Sequence, residues 1–312
     1  PSSAASDVYK RQAVEVWAKR LLISSTFTQA TMYVVRPFIT YRAIEIDAGA
    51  MAIGLIGAIY ALFPVLLALK FGSWVGKYGE GKFLVLGTGS LILSSIALVF
   101  SHDIYSLAAA TAFAGLAHLA LMVGGQTMVA LRAPKSEYNR LFGYYTFSAS
   151  VGHLIGPVLA GLLAGSLANG MPKNSGNAFL FAIALSTFAL VPTFSWRNSA
   201  PTVTAAEDQS NTLAAAKSML ARKEISLAIF ISLAISTTGD LLVIFLPLLG
   251  TERNIEPAII GSILSMRALG SMISRFSLGY VSKRVNDRKL LLTTTTIATI
   301  SLALMVLSLI HI

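Results

Sequence analysis

Nine apolar stretches, most of them close to twenty residues or longer, occupy most of the chain and restrict its fold more than any other feature. About 20 apolar residues in a helix are needed to cross the hydrocarbon core of a bilayer. Charged residues make up 12% of the chain, about half the roughly 25% usual in soluble domains. The chain is therefore predicted to be an all-α integral membrane protein. Its predicted spans are Leu21–Ile39, Gly49–Phe71, Phe83–Phe100, Tyr105–Leu131, Gly143–Leu167, Ala178–Trp196, Ile225–Leu249, Pro257–Val281 and Leu290–Leu309.

Basic residues collect at alternate ends of these spans and predict the orientation of the chain. The poor side holds only Arg36, Arg42, Lys173 and Arg253, whereas the other basic residues, apart from Arg267 within the eighth span, fall on the opposite side. Because cytoplasmic loops are rich in Lys and Arg, the N-terminus and the central loop are predicted to be cytoplasmic, in a cell inner (plasma) membrane. The net charge of +10 lies in these loops, so the expected partner is the lipid bilayer and not nucleic acid.

The fifth span carries an unusual run of small residues, GYYTFSASVGHLIGPVLAG, from Gly143 to Gly161. Glycine and a central proline weaken a helix in water, whereas in a bilayer neighbouring helices satisfy the freed backbone groups. Small residues also allow a second helix to approach closely. We therefore predict a helix–helix interface at Gly143, Gly152, Gly156, Pro157 and Gly161.

This run resembles the antiporter signature on the fifth helix of the major facilitator superfamily, and Ala160 departs from it by replacing the first glycine of a final pair. The stretch from Arg36 to Gly54 also looks like the end of the first helix and the start of the second in that superfamily. The resemblance implies two six-helix bundles and a secondary transporter of small molecules, with a lean toward export. We expect a monomer without a cofactor.

An internal repeat supports this resemblance. A shift of 207 residues pairs Gly54 with Gly261 and Gly72 with Gly279, so that the second span matches the eighth. Two related halves would produce such a repeat, and only three spans of the second half are present. The predicted regions are an N-terminal six-helix bundle over residues 13–196, a cytoplasmic central loop over 197–224 and a partial C-terminal bundle of about three helices over 225–312.

Two further segments lie outside these bundles. Residues 1–12 and the last residues look like non-native sequence, so we expect a longer natural protein whose second half has three more helices. Within the central loop, Thr212–Lys223 reads as a short basic amphipathic helix. Such a helix is expected to lie on the anionic inner leaflet.

The segment after the second span carries a second resemblance to the superfamily. Gly72, Lys77, Gly79 and Lys82 fit its glycine-rich basic loop, while Gly76 replaces the acidic residue. In the family this acid belongs to a charge network that latches the cytoplasmic side of one conformer, and Gly76 cannot supply that charge. The alternative interpretation is a plain positively charged cytoplasmic loop.

Ionisable side chains at bilayer depth are costly, which makes each of them a site hypothesis. Asp240 is the only carboxylate well inside a predicted span, and Arg267 lies in the next span. A carboxylate near an arginine could bind and release a proton as access alternates, or the two residues could form a purely structural ion pair. Arg36 lies near the outer end of the first span, where it could line the site or snorkel to the interface.

His118 and His153 lie near the middle of the fourth and fifth spans. Histidine changes its charge near neutral pH, so either residue could relay a proton or bind substrate, although an interhelical hydrogen bond is an equally simple role. Gln29 on the first span is a candidate for lining a cavity. The two histidines lack an acidic partner in the same half, so no metal site is predicted.

The leading hypothesis is a proton-coupled efflux transporter in which Asp240, Arg267, His118, His153, Arg36 and Gln29 are candidates for binding protons or substrate. The alternatives are an uptake permease for a small organic anion, suggested by the two arginines, and a non-transporting membrane sensor. An enzyme is not expected, since the sequence has no cysteine, no zinc-protease motif and no phosphate-binding loop.

Overall fold

The computed structural model describes residues 3–197, 218, 220–281, 289, 292–301 and 304. Within them, α2 to α8 are each long and apolar enough to cross a membrane, which confirms the predicted all-α membrane fold. Residues 292–301 are also helical, whereas most of Thr212–Lys223 and much of the predicted ninth span lie outside the described residues. The helices are α1 (Ser3–Glu45), α2 (Ala50–Tyr78), α3 (Glu80–Val99), α4 (Ile104–Arg132), α5 (Tyr138–Ala164), α6 (Ser175–Thr193), α7 (Lys223–Glu252) and α8 (Pro257–Val281).

The chain forms two compact units, Pro1–Ala268 and Leu269–Ile312. In the first unit α1 is the central element, because it packs against α4, α5, α6 and α7. The remaining neighbours in this unit include the pairs α3–α4, α2–α4 and α3–α6. The predicted bundle boundaries at residues 197 and 225 stay predictions.

The central position of α1 explains why a helix with so many polar residues can lie inside a membrane protein. Its apolar side buries large residues such as Met32, Phe38 and Tyr41. Gln29 and Thr31 are also buried, and the Thr31 hydroxyl donates to the carbonyl of Phe27 at 2.8 Å. Because other helices surround α1, a polar group such as the Gln29 amide finds a protein partner, which buried polar groups need in a bilayer.

The segment predicted to be a loop after the second span is almost entirely helical, so that prediction is wrong. Gly72 and Lys77 lie inside α2, and Lys82 lies inside α3. The two helices meet at Gly79, whose φ of 94° is readily adopted only by glycine. The direct junction brings Glu80 to the start of α3, where it is 1% exposed.

Glu80 forms a buried ion pair with Arg132 at the end of α4. The Nη2 and Nε atoms of Arg132 lie 2.7 and 2.8 Å from the same carboxylate oxygen, Oε1. The sequence pattern gave Glu80 no role, because it stands where the family has a basic residue. The acidic position of the resembled motif is occupied by Gly76. An ion pair nevertheless joins α3 and α4 at this end of the helices, through Glu80.

The glycines of α5 lie against backbone of other helices, with one exception. A Cβ atom on Gly152 would lie 2.6 Å from the amide nitrogen of Ala30, and one on Gly156 would lie 2.6 Å from the Ala30 carbonyl oxygen. A Cβ on Gly161 would lie 2.6 Å from the carbonyl oxygen of Pro257 in α8. Among the described residues nothing lies within 4 Å of a Cβ built on Gly143, so the helix contact predicted for it is not made there.

The contact between α5 and α8 involves the proline of the motif as well. A Cβ on Gly261 of α8 would overlap the carbonyl group of Pro157, lying 2.8 Å from its carbon atom. Proline cannot donate a backbone hydrogen bond and bends a helix, while the missing side chain on Gly261 leaves room for the bent backbone. Helix α5 is thus held at backbone contact by α1 on one side and by α8 on the other.

Candidate functional site

Four polar side chains share one face of α1: Gln29, Tyr33, Arg36 and Thr40. Residues spaced by three or four positions lie above one another on a helix, and the intervals here are four, three and four. We call this set the α1 polar face. It contacts α7 directly, since the Thr40 hydroxyl donates to the Ile244 carbonyl at 2.9 Å.

Arg36 of the α1 polar face forms an ion pair with Asp240 of α7. The guanidinium Nη1 donates to Oδ1 of the carboxylate at 2.8 Å, and the guanidinium carbon lies 4.9 Å from the centre of the Tyr60 ring. The side chain of Arg36 is 9% exposed, whereas that of Asp240 is 55% exposed. The alternative that Arg36 snorkels to the interface is therefore wrong, because its charge is used inside the protein.

Arg267 does not form the predicted ion pair with Asp240. Its Nη2 donates to the hydroxyl of Tyr33 at 3.0 Å, and its guanidinium carbon lies 5.9 Å from the centre of the Tyr33 ring. A Cβ on Gly239 would lie 2.9 Å from Nη1 of Arg267, so the glycine makes room for the guanidinium beside α7. Among the described residues no carboxylate pairs with Arg267, whose side chain is exposed.

The two histidines are brought together by Gln29. His153 Nε2 donates to the Gln29 amide oxygen at 2.9 Å, and the Gln29 amide nitrogen lies 3.5 Å from His118 Nε2. The His153 ring stacks on Tyr33 with 3.7 Å between ring centres. His118 Nδ1 lies 2.7 Å from the Tyr60 hydroxyl. A continuous polar path therefore runs from α5 through α1 to α4 and α2.

Two glycines position this path. The close approach of Gly152 to the backbone of α1 places the next residue, His153, beside Gln29. In the same way, a Cβ on Gly115 of α4 would overlap the carbonyl group of Tyr60, so α2 and α4 touch there. His118 lies one helical turn further along α4 and can reach the Tyr60 hydroxyl. Small residues thus bring the polar groups into hydrogen-bonding range.

The space beside Arg36 is small. A cavity of about 20 Å³ lies between α1, α2, α4 and α7, with Arg36, Tyr60, Thr111 and Ile244 among its lining residues. Small-molecule sites are usually several hundred Å³ in volume. This cavity is therefore too small to hold a small-molecule ligand in the present arrangement of the helices.

Sequence reasoning placed Gln29, Arg36, His118, His153, Asp240 and Arg267 in the site, and the structure brings all six into one connected group. It missed Tyr33, which contacts both His153 and Arg267. The available signal was the spacing of Tyr33 from Gln29 and Arg36, which puts all three on one helix face. Within the described residues no three His, Cys, Asp or Glu side chains form a cluster able to hold a metal ion.

Comparison with known proteins identifies the family of the chain. Residues 21–312 match the family model of the Major Facilitator Superfamily. The multidrug resistance protein MdtG of Proteus mirabilis (strain HI4320) is 24% identical over 188 residues, which cover 57% of this chain and 44% of that protein. The class H tetracycline resistance protein of Pasteurella multocida is 27% identical over 157 residues, covering 50% of this chain and 37% of that protein.

Solved structures show the same fold. An inward-facing, unoccupied bacterial homologue of the human lysosomal transporter Spinster superposes with a TM-score of 0.65 at 13% identity, covering 87% of this chain and 64% of that one. A peptide transporter POT mutant in complex with alafosfalin superposes with a TM-score of 0.58 at 14% identity, over 87% of this chain and 68% of that one. The chain spans less than half the length of the two resistance proteins. The family predicted from the fifth-span motif is confirmed, and the chain belongs to the Major Facilitator Superfamily.

Proposed function

We propose that the chain is part of a proton-coupled secondary transporter that exports a small molecule across the inner membrane, with its N-terminus in the cytoplasm. The observation that carries the proposal is the ion pair between Arg36 on α1 and Asp240 on α7. It joins two helices through a carboxylate that is more than half exposed. Protonation of this carboxylate would remove the charge that pairs with Arg36.

The chemistry follows from the two protonation states of Asp240. The carboxylate accepts a charge-assisted hydrogen bond from Arg36, which holds α1 against α7. Once a proton has neutralised the carboxylate, the electrostatic attraction is lost, while Arg36 keeps its contact with the Tyr60 ring. The contact between α1 and α7 beside the small cavity is then weaker, and α7 can move away from α1. A ligand that prefers the open arrangement shifts the balance further.

The direction of transport is supported by the relatives. Two of them are named for resistance to drugs or to tetracycline, which suggests export. The glycine contacts of α5 with α1 and α8 add support, since closely packed helices leave little space for a leak.

The test measures substrate flux in proteoliposomes containing the purified protein, driven by an imposed pH gradient. Tetracycline and the lipophilic cation tetraphenylphosphonium serve as probes. Asp240→Asn is expected to reduce gradient-driven flux to background, because the amide cannot bind and release a proton. Glu252→Gln, at the far end of the same helix, is the matched control and should leave flux unchanged. Undiminished flux in Asp240→Asn would remove Asp240 from the mechanism.

A second candidate function is transport of a small organic anion, and the charge balance of the site favours it. Arg36 is neutralised by Asp240, whereas Arg267 has a hydroxyl partner and no carboxylate within the described residues. The group therefore carries one uncompensated positive charge when the histidines are neutral. Gradient-driven accumulation of labelled benzoate, lost in Arg267→Gln, would favour this function over cation export. Absence of flux for all three probes would instead favour a non-transporting sensor.

A further inference from the structure

The Gln29 side chain sits between two histidine nitrogens of the same kind. One end of its amide contacts Nε2 of His153 and the other end contacts Nε2 of His118. An amide has a hydrogen-bond acceptor at one end and donors at the other. We propose that Gln29 allows only one of these two histidines to be positively charged at a time, so that the pair carries a single exchangeable proton.

The hydrogen bonds assign a position to every proton in the neutral state. His153 Nε2 donates to the Gln29 oxygen and therefore carries a hydrogen. The Gln29 nitrogen donates to His118 Nε2, which must then be unprotonated, so the hydrogen of His118 lies on Nδ1. Nδ1 donates to the Tyr60 hydroxyl at 2.7 Å, and that hydroxyl donates to the sulfur of Met32 at 3.2 Å. Each group has a complementary partner.

Adding a proton affects the two histidines differently. His153 can accept it on Nδ1 and still donate from Nε2 to Gln29. His118 can accept it only on Nε2, which then faces the amide N–H of Gln29. The amide must rotate by 180° to offer its oxygen to His118, and its nitrogen then faces His153. His153 must in turn have an unprotonated Nε2, so it has to be neutral. The exclusion holds for either orientation of the amide.

The surrounding charges act in the same direction. Arg36 lies over the Tyr60 ring that contacts His118, and Arg267 donates to the Tyr33 hydroxyl, whose ring stacks on His153. Asp240 on α7 supplies one negative charge and is already paired with Arg36. Two imidazolium rings would add two positive charges to this group. The single shared proton therefore agrees with both the hydrogen bonds and the charge balance.

The consequence for transport rests on the proposed proton coupling. A charged His153 on α5 and a charged His118 on α4 require opposite orientations of the Gln29 amide, so the positive charge can be on one ring or the other only with the matching orientation. Gln29 is thus a positioning residue that connects the two helices, and it does not carry the proton itself. The exclusion between the histidines is a property of the folded protein and can be measured without any substrate.

The experiment follows the imidazole nitrogens by ¹⁵N NMR in lipid nanodiscs during a pH titration. The chain has four histidines, and replacing His102 and His311 by Gln leaves His118 and His153 as the observed pair. The second proton is expected to bind about tenfold to a hundredfold more weakly than the first, the effect of one misdirected charged hydrogen bond. The single variants His118→Gln and His153→Gln give the affinity of each remaining ring alone.

Two substitutions of Gln29 complete the test. Gln29→Glu presents an acceptor at both ends, so both rings are expected to take up protons together. Gln29→Leu removes the bridging amide without adding charge. It should reduce the ratio between the affinities for the first and the second proton by at least about threefold. Simultaneous protonation in the unchanged protein, or the same gap in Gln29→Leu, would overturn the proposal. If the unchanged protein showed two separate protonation steps but no gradient-driven transport, the result would count against the proposed function alone.

Discussion

Within the described residues two ion pairs join different helices, and their carboxylates have opposite surroundings. Glu80 on α3 is 1% exposed and accepts a hydrogen bond from Nε of Arg132 on α4, whose Nη2 lies 2.7 Å from the same oxygen. Asp240 on α7 is 55% exposed and receives one from Arg36 on α1. Removing one partner from a buried pair costs about 3–5 kcal/mol, whereas exposed pairs contribute about 0–1 kcal/mol. From the exposure of the two carboxylates, we expect the contact between α1 and α7 to be the weaker of the two.

This difference separates helices that stay together from helices that can part. In the α3–α4 pair the Glu80 carboxylate is buried and Arg132 is partly exposed. In the α1–α7 pair the Asp240 carboxylate is exposed and Arg36 is buried. On its other side, α1 touches α5 through Gly152 and Gly156 at backbone distance. We therefore expect α1 to remain with α5 when the contact with α7 is released.

The largest effect on stability is expected from Glu80→Gln. The substitution removes the charge that balances Arg132 and should lower the free energy of unfolding by about 3 kcal/mol. Thermal unfolding of the purified protein in detergent measures the change. Glu137→Gln is the matched control, because it breaks an exposed pair with Arg140 and should cost less than about 1 kcal/mol. Equal losses in the two variants would show that burial does not distinguish these pairs.

A somewhat smaller effect is expected from Gly156→Ala. The added Cβ would lie 2.6 Å from the Ala30 carbonyl oxygen, and overpacking of this kind costs about 1–3 kcal/mol. Gly143→Ala adds the same atom to the same helix where nothing lies within 4 Å, so it should be neutral or slightly stabilising. If both substitutions lowered the unfolding temperature equally, backbone contact between α5 and α1 would not explain the motif.

Asp240→Asn removes a carboxylate that is more than half exposed but leaves the Arg36 guanidinium, which is 9% exposed, without its counter-charge, so we expect a loss of stability of about 1–2 kcal/mol, smaller than that of Glu80→Gln. The same variant is expected to lose gradient-driven flux. Unfolding temperature and flux measured on one preparation would therefore diverge, in contrast to Glu80→Gln, where both should fall. A large loss of stability in Asp240→Asn would place this pair with the structural contacts.

Much of the fold could be predicted from the sequence, because apolar length and basic flanks follow directly from the bilayer. The candidate site residues could also be named, since charged and polar groups within spans are rare. The interaction partners of these residues could not be predicted. Asp240 was expected beside Arg267, but its partner is Arg36, which is 204 positions away in the chain. Which arginine reaches a carboxylate depends on helix rotation and side-chain direction, and a hydrophobicity pattern does not contain either.

The same limit explains the two errors about glycine. Gly143 and Gly156 both belong to the matched motif, but only Gly156 touches another helix. Gly72 was assigned to a loop because the apolar run ends near it, although α2 continues to Tyr78. Helices extend beyond the hydrocarbon core when polar residues can still form the same backbone hydrogen bonds. A motif therefore identified the correct helix without identifying which of its residues make contact.

The smallest effect concerns a carboxylate with no arginine partner. Asp103 caps α4, and its pKa is lowered by hydrogen bonds from the Ser106 backbone amide, the Ser106 hydroxyl and the Tyr105 backbone amide. Since the folded pKa lies below the unfolded one, the stabilisation is present above the unfolded value of about 3.9 and is lost as pH falls through the folded value.

Asp103→Asn keeps a capping side chain but removes this pH dependence. The unfolding temperature of the unchanged protein should therefore exceed that of the variant slightly at pH 6, and the difference should shrink below about pH 4. Subtracting the unfolding temperature of the variant from that of the unchanged protein at each pH cancels the effect of all other titrating groups. A difference that stayed constant across this range would mean that the cap does not depend on the charge of Asp103. Charge at an exposed helix end would then matter less than it does in either ion pair.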